Sequence, residues 1–141
     1  MIRKSIISER APEAVGPYPH AKRVGNFLFV SGMGPRKKGS SEIPGVTLDA
    51  CGKVIAHDTA VQCRSVFDNI RLILEDAGAK WEDIVDVTAF LTDIAKDFAA
   101  YNKVYAEYFP LPSNRPARTT VEVAALPTPI AIEVKVVAVV E

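Results

Sequence analysis

The sequence has no long uninterrupted hydrophobic run and no net charge, and these two absences remove two broad classes of function. No apolar stretch approaches the roughly 18 residues that a helix needs to span a membrane, and residues 1–10 lack the apolar centre of a secretory signal peptide. The 17 basic residues balance 17 acidic ones, whereas nucleic-acid-binding proteins usually carry a basic excess or stripe. We therefore expect a cytoplasmic protein whose partners include neither a membrane nor a nucleic acid.

Cysteine and histidine are also scarce, with two residues of each type. Cys51 and Cys63 form no C-x-x-C motif, and in a cytoplasmic chain we expect both thiols to be reduced. A zinc-dependent nucleobase deaminase carries H-x-E followed by P-C-x-x-C, and neither motif is present. The sequence therefore predicts no metal site, although bound zinc is a common means of activating water for hydrolysis.

What the sequence does contain is the pattern of one α+β domain over residues 1–141, without repeats, low-complexity tracts or linkers. A first helix is predicted from a capping box of Thr59 and Gln62 to Gly78, and a second from Asp97 to Pro110 along an aromatic face. Apolar and β-branched runs predict strands at residues 5–7, 27–30, near 45–48, 84–91, 119–126 and 132–140.

Two helices cannot cover both faces of a mixed sheet of about six strands. We therefore expect both helices on one face, and a partly apolar second face that favours association between copies of the chain. The last predicted strand is almost entirely apolar after Lys135, which predicts that both of its faces are covered.

Two charged residues at strand positions are candidates for chemistry. Arg118 follows a proline-bounded loop at the start of a strand, and its planar fork suits a carboxylate. Glu133 lies between apolar neighbours, where burial would raise its pKa toward the range useful to a general acid or base. Because the two strands are consecutive, a hairpin would place both residues on neighbouring ladders. The residues alone leave open a surface ion pair for Arg118 and a solvent-facing carboxylate for Glu133.

Two loops rich in glycine and proline add weaker candidates. Residues 16–20 form a rigid turn that either presents Tyr18 or His20 to a ligand or only packs the tyrosine. Residues 31–39 have glycines spaced as in a phosphate loop but lack G-x-x-x-x-G-K-[ST], so they give little support for nucleotide binding.

Taken together, these segments resemble the Rid family of reactive imine and enamine deaminases across nearly the whole chain. Their common order makes the resemblance specific, whereas no single segment would. The matching segments are 11–18 (APEAVGPY), 28–32 (LFVSG), 69–70 (NI), 74–78 (LEDAG), 87–93 (VTAFLTD), 105–109 (YAEYF), 116–119 (PART), 121–127 (VEVAALP) and 132–134 (IEV).

The resemblance implies a chorismate-mutase-like α+β fold, assembled as a homotrimer with active sites in clefts between subunits. Whether trimers stack into hexamers is left open. It also implies that Arg118 binds the substrate carboxylate and that Glu133 positions or activates water. No cofactor is implied, because a conjugated imine is already electrophilic. The same pocket would be lined by Tyr18, Ser31, Gly32 and, where the family often has cysteine, Thr120.

Other positions depart from the common family pattern and resemble its 2-aminomuconate deaminase branch. Met33 stands where many members have glutamine, and a Pro19-His20 pair replaces Ser-Gln. That pair, residues 34–36 and the loop 39–45 are similar to the branch. Because its substrate is a dicarboxylate, a second cation is expected near the site, and the candidates are Arg36, Lys37, Lys96 and His20.

The expected function is therefore hydrolysis of 2-aminomuconate to a 2-oxo or 2-hydroxy dicarboxylate and ammonia, in the catabolism of aromatic compounds. One alternative is a broad deaminase of 2-imino and enamino acids such as 2-aminoacrylate, which would protect against reactive intermediates. Another is a non-catalytic trimer that binds small carboxylates. RNA cleavage, an activity sometimes ascribed to the family, is opposed by the zero net charge and by the lack of a stacking platform.

Overall fold

A mixed six-stranded sheet with two helices, and a separate two-stranded hairpin, make up the computed structural model, which describes residues 1–141. The helices are α1 (Thr59–Asp76) and α2 (Ile94–Tyr108), and two short 3₁₀ turns cover Trp81–Asp83 and Pro112–Asn114. The strands are β1 (Arg3–Ile6), β2 (Ala21–Val24), β3 (Phe27–Val30), β4 (Val46–Leu48), β5 (Val54–His57), β6 (Ile84–Leu91), β7 (Ala117–Glu122) and β8 (Ile132–Val139). The predicted α+β class is confirmed.

The strand order of the large sheet is β1-β2-β3-β8-β6-β7. All neighbouring strands are antiparallel except β6 and β7. The chain joins this parallel pair through α2, because a parallel pair needs a crossover connection. Strand β6 therefore lies between β7 and β8, and β7 forms one edge of the sheet.

The two faces of the sheet differ in burial. The helix-covered face of β8 contributes the buried side chains Ile132, Val134, Val136 and Ala138, whereas the alternate positions are partly buried or exposed. On the opposite face, which we call the open face, Phe27, Phe29 and Val121 remain exposed. The expected uncovered apolar face is confirmed for the protomer. The prediction that both faces of the last strand are covered is wrong for the protomer, because both helices lie on one side.

Both helices begin at an aspartate just upstream of the predicted cap. Asp58 caps α1 and Asp93 caps α2, each accepting a backbone N–H three residues further on, at 3.1 and 3.2 Å. The predicted capping box of Thr59 and Gln62 and the predicted cap at Asp97 are therefore wrong. In each case a preceding aspartate carboxylate already satisfies the free N–H group at the helix start.

The short strands β2 and β5 were not predicted. Strand β2 has two basic residues among its four, and β5 pairs only with β4, outside the main sheet. A turn at Gly25 (φ +59°) leads directly from β2 into β3. Neither helix has the length and apolar character needed to cross a bilayer.

Candidate active site

Glu133 lies in a cleft on the open face, near the beginning of β8. Its carboxylate is half-buried and has no hydrogen bond or ion pair within the protomer, and burial raises its pKa above the ordinary value. A carboxyl group that is half-buried, unpaired and raised in pKa suits a general acid or base. The cleft is lined by residues 12–15, Tyr18, His20, residues 31–34, Arg36, Pro127, Thr128, Ile130 and Glu133.

The segment that follows β3 places the backbone of Gly32 against the Glu133 carboxylate. Met33 exchanges two backbone hydrogen bonds with the residue after Glu133, at 2.8 and 3.0 Å. A Cβ atom at Gly32 would lie only 2.9 Å from Oε2 of Glu133, so any larger residue there would displace the carboxylate. Ser31 Oγ donates to the carbonyl oxygen of Pro19 at 2.8 Å, which ties the proline-rich turn to the same wall.

Of the two aromatic candidates in that turn, only Tyr18 is free to meet a ligand. Tyr18 is exposed and lines the cleft. His20 lines the cleft too, but it is buried: Nδ1 accepts the backbone N–H of Ser8 at 3.0 Å, so Nε2 donates to the carbonyl oxygen of Pro12 at 2.7 Å. Because backbone groups occupy both ring nitrogens, the geometry does not support His20 as a cation for a substrate carboxylate.

Among the other predicted cations, Arg36 is the one that lines the Glu133 cleft. Its Nη2 donates to the carbonyl oxygen of Glu13 at 2.7 Å, and no carboxylate lies within ion-pair distance of its guanidinium. Lys37 is exposed and does not line the cleft. Lys96 lies in the first turn of α2, with Nζ 3.8 Å from the Asp97 carboxylate.

Arg118 lies on the helix-covered face, against α2. Its Cζ is 5.8, 5.0 and 4.7 Å from the ring centroids of Phe98, Tyr101 and Tyr105. The guanidinium donates no hydrogen bond within the chain and has no carboxylate within 4.0 Å. Because ring faces use none of its N–H donors, the fork remains available to an external anion.

Three buried hydroxyls close to Arg118, those of Tyr101, Tyr105 and Thr120, have no partner at full hydrogen-bond geometry, and only Tyr101 and Thr120 lie near enough to each other for a weak interaction. Burial raises the pKa of both tyrosines, against the opposing effect of the Arg118 charge. Unpaired buried polar atoms are rare in proteins, so a group of three marks this region. Of these three residues, only Thr120 was predicted to line the pocket, because the spacing of the tyrosines in the sequence indicates only one face of a helix. Beside the hydroxyls, a concavity of about 300 Å³ is lined by Asn102, Tyr105, Ala106, Arg115, Pro116 and Arg118.

Arg118 and Glu133 do not meet within one protomer. The prediction that a hairpin places them on neighbouring ladders is wrong, because β6 lies between their strands. Arg118 is level with Val87 of β6 and Glu133 with Phe90, and positions three apart on a strand point to opposite faces. The chain therefore carries two separate clusters. We call them the Glu133 half-site (Glu133, Gly32, Ser31, Tyr18, Arg36) and the Arg118 half-site (Arg118, Phe98, Tyr101, Tyr105, Thr120).

Comparison with known proteins places the chain among relatives of the same length. Residues 8–140 match the family described as Endoribonuclease L-PSP. A RutC family protein of Pyrococcus abyssi is 40% identical over 138 residues, covering 98% of each chain. A 2-iminobutanoate/2-iminopropanoate deaminase of Escherichia coli K12 is 38% identical over 137 residues, covering 96% of this chain and 97% of that protein. The crystal structure of RidA from an Antarctic Psychrobacter species superimposes with a TM-score of 0.82 at 33% identity, over 98% of this chain and 100% of the other. By sequence and by structure, the chain belongs to the Rid family, also described as the Endoribonuclease L-PSP family.

Proposed function

We propose that this chain is a cofactor-independent hydrolase that converts an imine or enamine of a 2-amino acid to a 2-oxo acid and ammonia. The observation that carries the proposal is the Arg118 guanidinium, which has no anionic partner in its own chain and is held only by ring faces. Such a fork suits a substrate carboxylate. The E. coli relative, named as a deaminase of 2-imino acids, supports the same class of reaction.

The complete active site forms between two copies of the chain in a homotrimer, where the Arg118 half-site of one copy faces the Glu133 half-site of the next. The separation of Arg118 and Glu133 on opposite faces supports this arrangement, since one copy cannot supply both groups to one substrate. The exposed apolar side chains Phe27, Phe29 and Val121 on the open face supply a surface for association. The enclosed part of the Glu133 cleft has about 30 Å³ of free space, enough for the water molecule that Glu133 would hold.

In this site, Arg118 binds the carboxylate next to the amino-bearing carbon with two parallel hydrogen bonds. The enamine becomes the imine as a proton moves from its nitrogen to its carbon. Water held by Glu133 adds to the C=N carbon, and its proton passes through the carboxylate to the nitrogen, which gives a carbinolamine. Glu133 then accepts the hydroxyl proton and delivers it to the amino nitrogen as the C–N bond breaks, so that the carbonyl forms and ammonia leaves. The protein contributes orientation and proton transfer, both of which these residues can provide.

The substrate in this proposal is 2-aminomuconate, with Arg36 binding the second carboxylate. Arg36 supports this assignment because it lines the Glu133 cleft and has no carboxylate partner, while its bond to the carbonyl oxygen of Glu13 fixes its position. A broad deaminase acting on 2-aminoacrylate would need no such cation. The two substrates therefore differ in whether they use Arg36.

A paired activity assay tests the proposal. Coupling enzymes would generate 2-aminomuconate and 2-aminoacrylate in situ, and loss of absorbance would be followed together with ammonia release. We expect turnover of both, with a strong preference for 2-aminomuconate. A preference for 2-aminoacrylate would make the chain a broad imine deaminase. Binding of 2-oxo acids without ammonia release from either substrate would instead identify a non-catalytic carboxylate-binding protein.

Replacing Arg36 by alanine tests the second carboxylate directly. We expect KM for 2-aminomuconate to rise about tenfold, the size expected for one charged hydrogen bond, while KM for 2-aminoacrylate stays within about twofold. Lys37→Ala is the matched control, since it removes a neighbouring positive charge that does not line the cleft. An equal rise in KM for both substrates would show that Arg36 does not bind the second carboxylate.

A further inference from the structure

The Arg118 half-site contains three aromatic side chains to which the proposed reaction assigns no role. Its three aromatic side chains Phe98, Tyr101 and Tyr105 all come from α2 and all have their ring centroids within 5.8 Å of the Arg118 Cζ. Their spacing of three and four residues puts the three rings on one side of the helix, above the strand that carries the arginine. We call this set the aromatic bed (Phe98, Tyr101, Tyr105).

We infer that the aromatic bed positions the Arg118 fork for the substrate carboxylate, with Tyr105 and Tyr101 as the main positioning residues. This inference rests on the proposed function, since it assigns how the carboxylate-binding group of that site is held. The usual way to hold an arginine is a carboxylate, but a carboxylate would compete with the substrate for the same N–H donors. Aromatic faces attract the cation through their quadrupole and leave those donors free.

A second arginine in the same helical layer lies over aromatic rings and is also held by a carboxylate. Arg71 on α1 also lies over aromatic rings, 5.1 Å from the Trp81 centroid and 5.5 Å from that of Tyr108. Asp68 is 4.0 Å from its guanidinium, and the Tyr108 hydroxyl donates to the same carboxylate at 3.0 Å. Around Arg71 the charge and the hydroxyl are both paired, whereas around Arg118 neither is. Both arginines therefore contact aromatic rings, and Arg118 differs from Arg71 in having no carboxylate beside it.

The experiment compares Tyr105→Leu, Tyr105→Phe and the control Tyr108→Leu. Isothermal titration with 2-oxobutanoate measures carboxylate binding, and steady-state ammonia release separates KM from kcat. We expect Tyr105→Leu to weaken binding and raise KM about tenfold with kcat within about twofold, because the ring supplies orientation rather than chemistry. Tyr105→Phe keeps the ring and should stay within about twofold of wild type in both measurements.

Tyr108→Leu removes a ring from the same helix and should lower thermal stability without changing KM. If Tyr105→Leu does not fold, Phe98→Leu replaces it, since Phe98 is partly exposed and its ring is the most distant of the three. Its expected rise in KM is about threefold. Equal KM values in wild type and in the Tyr105→Leu or Phe98→Leu variant would overturn the inference. So would a loss in Tyr105→Phe as large as that in Tyr105→Leu, because the hydroxyl rather than the ring would then matter.

Failure of the proposed function gives a different result. A wild-type protein that releases no ammonia but binds 2-oxobutanoate would contradict the deaminase proposal, while the titration would still test the aromatic bed. A wild-type protein that binds no 2-oxo acid would contradict both. Retained binding in Tyr105→Leu alongside an active wild type would remove only the aromatic bed.

Discussion

The polar cluster around Arg10 and the polar cluster around Arg118 are built from similar groups and differ in how many of those groups are paired. Near the N-terminus, Arg10 Nη2 lies 2.6 Å from the Asp76 carboxylate, and Ser8 Oγ donates to the same carboxylate at 2.6 Å. The Ser8 oxygen also accepts the backbone N–H of Ala11 at 3.1 Å. No carboxylate lies within 4.0 Å of the Arg118 guanidinium, and three neighbouring hydroxyls are unpaired.

This difference separates a cluster that holds the fold together from one prepared for a ligand. The Arg10 cluster joins the N-terminal segment to the end of α1, and its groups satisfy one another within the chain. The Arg118 cluster leaves buried hydroxyls unpaired, which costs stability. Natural sequences keep such a cost mainly where function requires it. Substitutions in the first cluster should therefore change stability, whereas loss of the guanidinium or of a ring in the second should change activity.

The largest effect on activity is expected from Arg118→Ala. Loss of the bidentate contact should lower kcat/KM about 10³-fold, which corresponds to about 4 kcal/mol. Thermal stability should change little, because Arg118 makes no hydrogen bond or ion pair within the chain. Ammonia release and a thermal melt on the same sample measure both effects. Arg10→Ala is the matched control and should leave kcat/KM unchanged. Wild-type turnover by Arg118→Ala would remove Arg118 from the mechanism.

Glu133→Gln should lower kcat about 10²-fold while KM changes little, because the amide keeps the shape but cannot accept the proton of water. Burial raises the pKa of Glu133 in the folded chain. Since the ionised form is the base, wild-type kcat should fall as the pH decreases through this raised pKa, and the glutamine variant should lack that limb. A pH–rate profile with no acid limb above the ordinary carboxyl range would contradict the assignment.

The same raised pKa predicts an opposite effect on stability. A carboxyl whose folded pKa is raised contributes stability in its protonated form, and that contribution is lost as the pH rises through the folded pKa. At neutral pH the ionised Glu133 therefore opposes folding, and Glu133→Gln should have a higher Tm than wild type. The difference should disappear at acidic pH, where both side chains are neutral. A lower Tm for the variant at neutral pH would show that Glu133 is paired in the assembled protein.

Gly32→Ala should lower kcat about tenfold by displacing the Glu133 carboxylate, from which the new methyl group would be 2.9 Å. The fold should survive, since the atom that must move is the end of a flexible side chain. Because the alanine acts only through Glu133, it should cause no further loss in a Glu133→Gln background, where the effects would not add. Additive losses in the double variant would mean that Gly32 serves the substrate instead.

The sequence was sufficient to predict both helices, six of the eight strands and the placement of both helices on one face. Those features are encoded locally, in the periodicity of side chains and in turn residues. The two missed strands are short, and β2 carries charges that hide its alternation. The helix starts were misplaced by one residue at α1 and by four at α2, because Asp97 and the pair Thr59 and Gln62 are plausible caps in sequence, and only the backbone shows that Asp58 and Asp93 act first.

For the candidate site too, the local features could be predicted from the sequence and the long-range arrangement could not. Arg118 and Glu133 were selected from their local setting and from the family resemblance, but their separation was not predicted. Their distance depends on β6 inserting between β7 and β8, which is a pairing between segments far apart in the chain. The role inferred for Tyr101 and Tyr105 was also missed, because aromatic residues at helical spacing give the same pattern whether they fill a core or hold a cation.

The smallest expected effect on activity, and a clear effect on stability, comes from Ser8→Ala in the paired cluster. The substitution leaves the buried backbone N–H of Ala11 without its acceptor, which should lower the free energy of unfolding by about 1–2 kcal/mol and Tm by about 3–8 °C. Ser5→Ala is the matched control, because the Ser5 hydroxyl is exposed and only accepts a long bond of 3.4 Å from Lys22. Both variants should keep wild-type kcat and KM. A change in KM for Ser8→Ala without a change in Tm would mean that the Arg10 cluster also serves the substrate, and the distinction between the two clusters would no longer hold.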